Sequence, residues 1–396
     1  MALIPAWAAA RNILAVRLDS MGDVLMTSPA LAALRCGTPG GRLTLLTSAA
    51  GAEAARRIDA VDETWVYAAP WMGPGPAPTS PEADLALIGA LAARRFDAAV
   101  IFTVCTQSAL PAALACRLAG IPLRLAHCRE NPYALLTHWV PDSDTCIGTA
   151  RHEVQRQLDL VRHVGYDTRD ERLRLRYGRD DARRMRQALG AAGGDAHRPY
   201  LVIHPGARAP SRCYPASLYG IAAQALQART GLQIVFTGSE SEAALVAQAA
   251  AHMPQRPISL AGRLGLGELA ALIDGAQALL CNNTGPAHMA AALGTPVVVL
   301  YALTNPQHTP WQVPARVLSH DVPCRHCLKS RCPQLHHDCL ERIAPEAVAG
   351  AVLELLAGTE AMRTGAPSLA RPLRGGSAVL RVPCVPAPPP SSRLPL

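Results

Sequence analysis

Aromatic residues make up only 4% of the 396-residue chain, with three phenylalanines among them. A core must therefore be built from Ala, Leu and Val. Lysine is almost absent, and arginine carries nearly all of the positive charge. No uncharged apolar run approaches the ~20 residues of a membrane-spanning helix, so none is expected to cross a bilayer. No basic run carries interleaved aromatics, which argues against a nucleic-acid partner. The N-terminal stretch MALIPAWAAARNILAV has no basic region ahead of its apolar part, and it runs straight into a strand-like pattern. No signal peptide is expected from it, and the expected location is cytoplasmic.

Charged residues are few at 17%, but 49% of the chain is hydrophobic, so the composition is globular. The length exceeds what one core usually holds and favours two domains. The net charge of +8 suits phosphates or an anionic membrane surface. A compositional preference for Arg, Ala and Pro accounts for the same balance without any ligand. In a reducing compartment the twelve cysteines are expected mostly as buried thiols or metal ligands rather than disulfides.

Strand-like runs alternate with helical patterns along the chain, which predicts a parallel α/β sheet with crossover helices. NILAVRL, RLTLLTS, ETWVYA and DAAVIFT read as strands of a first half. DVLMTSPALAALRC, AGAEAARRI, DLALIGALAARRF and QSALPAALACRLAG read as its helices, and one near HEVQRQLDLVRHVG closes it. A second half reopens the pattern at YLVIHPG. The expected division is 1–178, a linker at 179–199, 200–361, and a disordered Pro-, Arg- and Ser-rich tail at 362–396.

Parallel sheets bind ligands where strands end and helices begin. In RLDSMGDVL, Gly22 is expected to allow a tight turn, and Asp23 falls in the first helical turn, where the dipole favours its anion. A carboxylate there can accept a proton from a hydroxyl nucleophile, or it can simply cap the helix, as can Asp19. In IHPGARAPSR, Arg208 and Arg212 follow a strand and could form an anion site or a basic surface loop. In FTGSESE, Gly238 and Ser239 could approach a nucleotide and Glu242 a ribose, or Ser239 and Glu242 could form a helix cap. In CNNTGPAHMAAALG, Asn283, Thr284, Gly285 and Pro286 lead into a helix whose first turn holds His288, a cradle suited to a diphosphate. His288 could equally be a structural histidine. Cys324, Cys327, Cys332 and Cys339, spaced C-x2-C-x4-C-x6-C, can bind a tetrahedral zinc ion, or less readily an iron–sulfur cluster. Structural or redox-sensitive thiols are the alternative.

Taken in order, RLDSMGDVLMTSPAL, HPGARAPSRCYP, FTGSESE, LAGRLGLGELAALI and NNTGPAHMAAALGTPVV make the chain similar to glycosyltransferase family 9, the heptosyltransferases of lipopolysaccharide assembly. The resemblance runs from about Asn12 to Leu356. It implies a GT-B architecture, with two Rossmann-like domains facing across a cleft. The first domain would bind the acceptor and the second a nucleotide-sugar, typically ADP-heptose. It further implies inverting transfer without an essential metal ion, with Asp23 as general base and Arg212, in place of a usual lysine, on the donor phosphates. Glu242 would match a ribose-binding glutamate, and Thr284, Gly285 and His288 the diphosphate turn. Asn283 stands where several family members carry aspartate. The implied partners are a nucleotide-sugar and a glycolipid at the inner membrane surface of a Gram-negative cell, where the enzyme would rest peripherally. No stable protein partner is expected. A nucleotide-sugar 2-epimerase of the same architecture, and a non-catalytic nucleotide-sugar- or metal-binding protein, are the alternatives.

Overall fold

The computed structural model describes residues 2–72, 80–144, 151–254, 257–303 and 306–364. The first half runs α1 (Pro5–Ala9), β1 (Asn12–Arg17), α2 (Met21–Gly37), β2 (Arg42–Thr47), α3 (Ala49–Ala55), β3 (Glu63–Val66), α4 (Pro81–Arg94), β4 (Ala98–Ile101), α5 (Leu110–Leu118), β5 (Leu123–Cys128), β6 (His138–Pro141) and α6 (Glu153–Arg162). Next come α7 (Arg179–Ala191), β7 (Tyr200–His204), α8 (Ala216–Thr230), β8 (Gln233–Phe236), α9 (Ala243–Ala250) and β9 (Ile258–Ser259). The chain then runs through α10 (Leu266–Asp274), β10 (Ala278–Asn282), α11 (Gly285–Leu293), β11 (Val297–Leu300), β12 (Ala315–Leu318), α12 (Asp338–Glu341) and α13 (Pro345–Thr364).

The strands form two six-stranded sheets, ordered β3-β2-β1-β4-β5-β6 and β12-β11-β10-β7-β8-β9. Every pairing is parallel; Ile13, for instance, lies between Leu43 of β2 and Ala98 of β4. Read from β7, the second sheet repeats the order of the first. Each sheet thus reverses direction at one place, between β1 and β4 and between β7 and β10. At such a reversal the two flanking loops diverge and open a crevice beyond the strand ends. The expected α/β, GT-B-like arrangement is present.

The physical cause is visible strand by strand. Parallel strands covered on both faces must be apolar throughout. All four residues of β4 and all four of β11 are buried. One apolar cluster joins Val24 and Leu25 of α2 to Ala287, Met289 and Ala290 of α11, so the two halves share a core where these helices meet. Two further clusters fill the other faces: Tyr214, Tyr219 and Phe236 in the second half, and Leu91, Phe96 and Ile101 in the first.

Residues 179–191, expected as linker, form helix α7, opened at Gly178 by the backbone N–H donating to Asp181 Oδ2 (2.9 Å). Helix α13 continues to Thr364, three residues into the segment read as tail. The rest of that segment, 365–396, lies outside the described residues, as does most of the Pro/Gly-rich loop before α4.

Candidate active site

Helices α2 and α11 bring their N-termini together, each starting just beyond the strand on one side of its sheet reversal. A β-carbon added at Gly22 would lie 2.7 Å from His288 Cδ2. One added at Gly285 would lie 2.0 Å from Met21 Cε. Gly22 is helical and has no positive φ. The tight turn expected of it is therefore corrected: glycine is needed there because the His288 ring from the other half occupies the space of a side chain.

Asp23 is the third residue of α2. Its Oδ2 accepts hydrogen bonds from the Ser20 backbone N–H (3.2 Å) and hydroxyl (2.6 Å), so it does cap the helix. Its Oδ1 lies 3.4 Å from Arg17 Nη2, and the side chain keeps 15% exposure. Capping and facing the cleft are compatible because the two oxygens do different things. Burial pushes the Asp23 carboxyl up, but Arg17, His308 and the Ser20 bond together hold it below the usual range. Arg17 is wholly buried and also meets Asp19 (3.0 Å) and Glu153 (2.9 Å). Asp19 is pushed up to about 6 by burial and by the neighbouring Asp23, against the pull of Arg17. Gln107 donates to Asp19 Oδ1.

The second half supplies a basic, donor-rich wall. His288 is buried, and its Nδ1 has no hydrogen-bond partner among the described residues. Burial, with His308, His152 and Arg212 nearby, pushes its pKa down to about 3 against the opposing pull of Asp23. The imidazole is thus neutral at physiological pH. Arg212 closes a short turn at Pro210–Arg212; its Nε is buried without a hydrogen-bond partner among the described residues, and it has no ion pair there. A half-buried guanidinium with a buried, unmet Nε–H favours an anion. Arg208, in the same loop, is exposed. Ser211 anchors the turn: its N–H donates to Ser330 O (3.0 Å) and its hydroxyl to Lys329 O (2.7 Å), within the Cys-rich segment.

Thr284 is the N-cap of α11, with no side-chain cap bond and with Pro286 in the first turn. Its hydroxyl is not committed to the helix. Asn282 Nδ2 donates to Pro205 O (2.7 Å), and its Oδ1 accepts from Tyr214 N–H (3.1 Å), fixing the loop after β7 against β10. Asn283 is buried, and its side chain bonds Tyr301. Glu242 Oε2 accepts from the Ser239 N–H (2.7 Å) and hydroxyl (2.9 Å), so this oxygen makes the cap while Oε1 takes no part in it. A β-carbon at Gly206 would sit 2.0 Å from Glu242 Oε1, so this carboxylate also reaches the end of β7. Gly238 lets the turn close on Val246, where a β-carbon would be 2.9 Å away.

Sequence reasoning missed Arg17, Gln107, His152, Glu153 and His308, which the fold gathers around Asp23. Arg17 left one signal, a charge at the end of an otherwise apolar strand.

The cysteine segment fares differently. Among the described residues no group of three or more His, Cys, Asp or Glu side chains is placed to hold a metal. Cys324 Sγ faces His336 Nε2 at 3.6 Å, and burial raises the Cys339 thiol, with Cys332, Cys324 and Cys327 adding to it. The four side chains are neighbours without converging, so the zinc expectation finds no support. Cys105 is disulfide-bonded, an exception among cysteines expected mostly as thiols.

The model of glycosyltransferase family 9 (heptosyltransferase) matches residues 85–337, more than half of the chain. The chain belongs to this family. Among curated relatives, lipopolysaccharide heptosyltransferase 3 of Escherichia coli K12 is 34% identical over 179 residues, covering 44% of this chain and 49% of that protein. Lipopolysaccharide heptosyltransferase 1 of Pseudomonas aeruginosa is 28% identical over 187 residues, 43% and 52% of the two chains. The chain thus spans about half the length of the curated relatives it matches. Among solved structures, a family 9 glycosyltransferase from Veillonella parvula superposes with a TM-score of 0.72 at 20% identity, covering 90% of this chain and 98% of that one. The E. coli ADP-heptose lipopolysaccharide heptosyltransferase II gives 0.68 at 22% identity, covering 88% and 99%. At these identities the two structures speak for the fold.

Proposed function

We propose that this chain is an inverting glycosyltransferase. It moves a heptose from a nucleotide-sugar, ADP-heptose, to a lipopolysaccharide core or similar glycan acceptor, with Asp23 as general base. Family membership and the names of the curated relatives support the reaction class. The observation that carries the residue assignment is the meeting of α2 and α11. It sets an ionised carboxylate opposite a neutral histidine, an arginine with an unmet donor and an open helix N-terminus.

The chemistry follows from that arrangement. The acceptor hydroxyl gives its proton to Asp23 as its oxygen attacks the anomeric carbon. The bond to the nucleotide breaks on the opposite face, and the diphosphate gains charge. Arg212 and the N–H groups opening α11 stabilise that charge more in the transition state than in the ground state. Thr284, Gly285, Pro286 and His288 would line the diphosphate, Gly238, Ser239 and Glu242 the nucleoside, and Arg208 the outer phosphate path. Asn283, bonded to Tyr301, would shape the sugar end. No helix among the described residues is long and apolar enough to cross a membrane. A glycolipid acceptor would be met at a membrane surface. Family membership favours transfer over the epimerase alternative.

A thermal-shift screen tests the donor. A ligand at a hundred times its Kd stabilises by about 2.7 kcal/mol. Selective stabilisation by ADP and ADP-heptose is expected over UDP-, GDP- and dTDP-sugars. Selective stabilisation by a UDP-sugar would defeat the assignment of the donor.

A further inference from the structure

Arg17 meets three carboxylates with one guanidinium, and two of them want the same nitrogen. Its Nη2 donates to Glu153 Oε1 at 2.9 Å, while Asp23 Oδ1 waits at 3.4 Å. Glu153 has almost no exposed surface. Its Oε1 also accepts from the Gln157 amide (2.6 Å). Its other oxygen, Oε2, faces His308 Nε2 at 3.8 Å. Glu153 opens α6 in the first half of the chain, whereas His308 follows β11 in the second. Besides Glu153, the titratable groups around His308 among the described residues include Asp23, His152, His288 and Tyr301, the last hydrogen-bonded to the His308 backbone. The chain of contacts from His308 through Glu153 and Arg17 to Asp23 therefore crosses between the two halves.

We propose that Glu153 is a positioning residue for the Asp23 carboxylate. By occupying Arg17 Nη2 it limits how much of that charge reaches Asp23, and His308 ties this setting to contact between the two halves. The proposal rests on the reading of Asp23 as the general base. A carboxylate paired fully with arginine loses one to three pKa units, and a base weakened that far accepts a proton poorly in the transition state. Glu153 competes for the guanidinium and adds a negative charge of its own, and both effects keep Asp23 basic. His308 acts in the other direction, drawing on Glu153 and lowering Asp23 from across the cleft.

The test uses the full chain as wild type, Glu153→Gln and His308→Ala. Aspartate labelled at the carboxyl carbon is followed by 13C NMR titration, with Asp23 assigned by its loss in Asp23→Asn. The pH dependence of ADP release is measured in parallel with ADP-heptose and heptose-deficient lipopolysaccharide. In Glu153→Gln, the Asp23 titration and the acid limb of kcat are expected to move to lower pH. In that variant kcat should fall about tenfold with the donor KM unchanged. In His308→Ala both should move to higher pH. An Asp23 titration that stays put in Glu153→Gln overturns the proposal, even where turnover falls or His308→Ala shifts it, because a merely structural role would leave it unmoved. If Glu153→Gln does not fold, Glu153→Asp, whose shorter side chain gives up Arg17 Nη2, takes its place and is expected to move the Asp23 titration the same way, by less. Failure of the base assignment itself looks different: Asp23→Asn would turn over normally while the titration shifts persist.

Discussion

Replacing Gly22 by alanine probes the junction between α2 and α11 with a single methyl group. That carbon would start 2.7 Å from His288 Cδ2, and ordinary contact begins at 3.4 Å, so the ring or the helix must retreat by ~0.7 Å (3.4 − 2.7). His288 is only 4% exposed and has little room to yield. Overpacking of this kind costs about 1–3 kcal/mol, and the better helix propensity of alanine returns about 1 kcal/mol. Net stability should therefore fall by no more than about 2 kcal/mol, a few degrees in Tm. Activity should fall further, because a shift approaching 1 Å between reacting groups can cost about a hundredfold. Gly285→Ala is the control. Its β-carbon would strike Met21 Cε at 2.0 Å, but that atom ends a flexible side chain that can swing aside, so a smaller loss is expected. Turnover and Tm of both variants decide the matter. A Gly22→Ala protein with full activity, or a Gly285→Ala protein impaired more deeply, would refute the claim that the helix junction sets the site.

Other perturbations follow from the same geometry. Arg212→Ala should weaken donor binding roughly 10- to 100-fold, the worth of one charge-assisted hydrogen bond, and calorimetry showing unchanged affinity would remove Arg212 from the phosphate site. Arg17→Met leaves Asp19, Asp23 and Glu153 without their shared cation, a loss of about 3–5 kcal/mol at neutral pH that should shrink on acidification; denaturation at pH 7 and pH 4.5 would show it. Glu153→Gln has a distinct pH signature. Burial raises the Glu153 carboxyl, but Arg17 and His308 outweigh this and hold it below its ordinary 4.5. Its stabilisation is thus fully present above pH 4.5 and lost as the pH falls below that value. The stability gap between wild type and variant should therefore close in acid, and a gap independent of pH would contradict the pairing.

Much of the fold was legible because buried parallel strands are written as apolar runs and their crossovers as helical periods. β5 escaped because LRLAHC carries Arg124 and His127 inside the sheet. Arg124 is tolerated there since its guanidinium donates to the carbonyls of Ile121, Ala134 and Leu135. His127 is pushed down to about 4, chiefly by burial and also by Arg156, so it stays neutral. β6 escaped because it is four residues long and ends in proline at a sheet edge. At the site, Asp23, Arg212 and His288 were legible because each lies where a strand gives way to a turn or helix. Their surroundings were not. Glu153 lies far from Asp23 in sequence and approaches it only because α6 packs back beside α2, and His308 approaches only because the second half meets the first there. Gly22 was visible as a glycine, but its reason is a ring some 270 residues away.

The central claim is that Asp23 takes the proton from the acceptor. The most direct measurement is single-turnover ADP release by Asp23→Asn with ADP-heptose and a lipopolysaccharide acceptor, alongside calorimetric binding of ADP. Asparagine keeps the shape and cannot accept the proton, so release should slow by at least a hundredfold while ADP affinity stays within about twofold. Release at the wild-type rate, with binding intact, would contradict the assignment of Asp23 as the base.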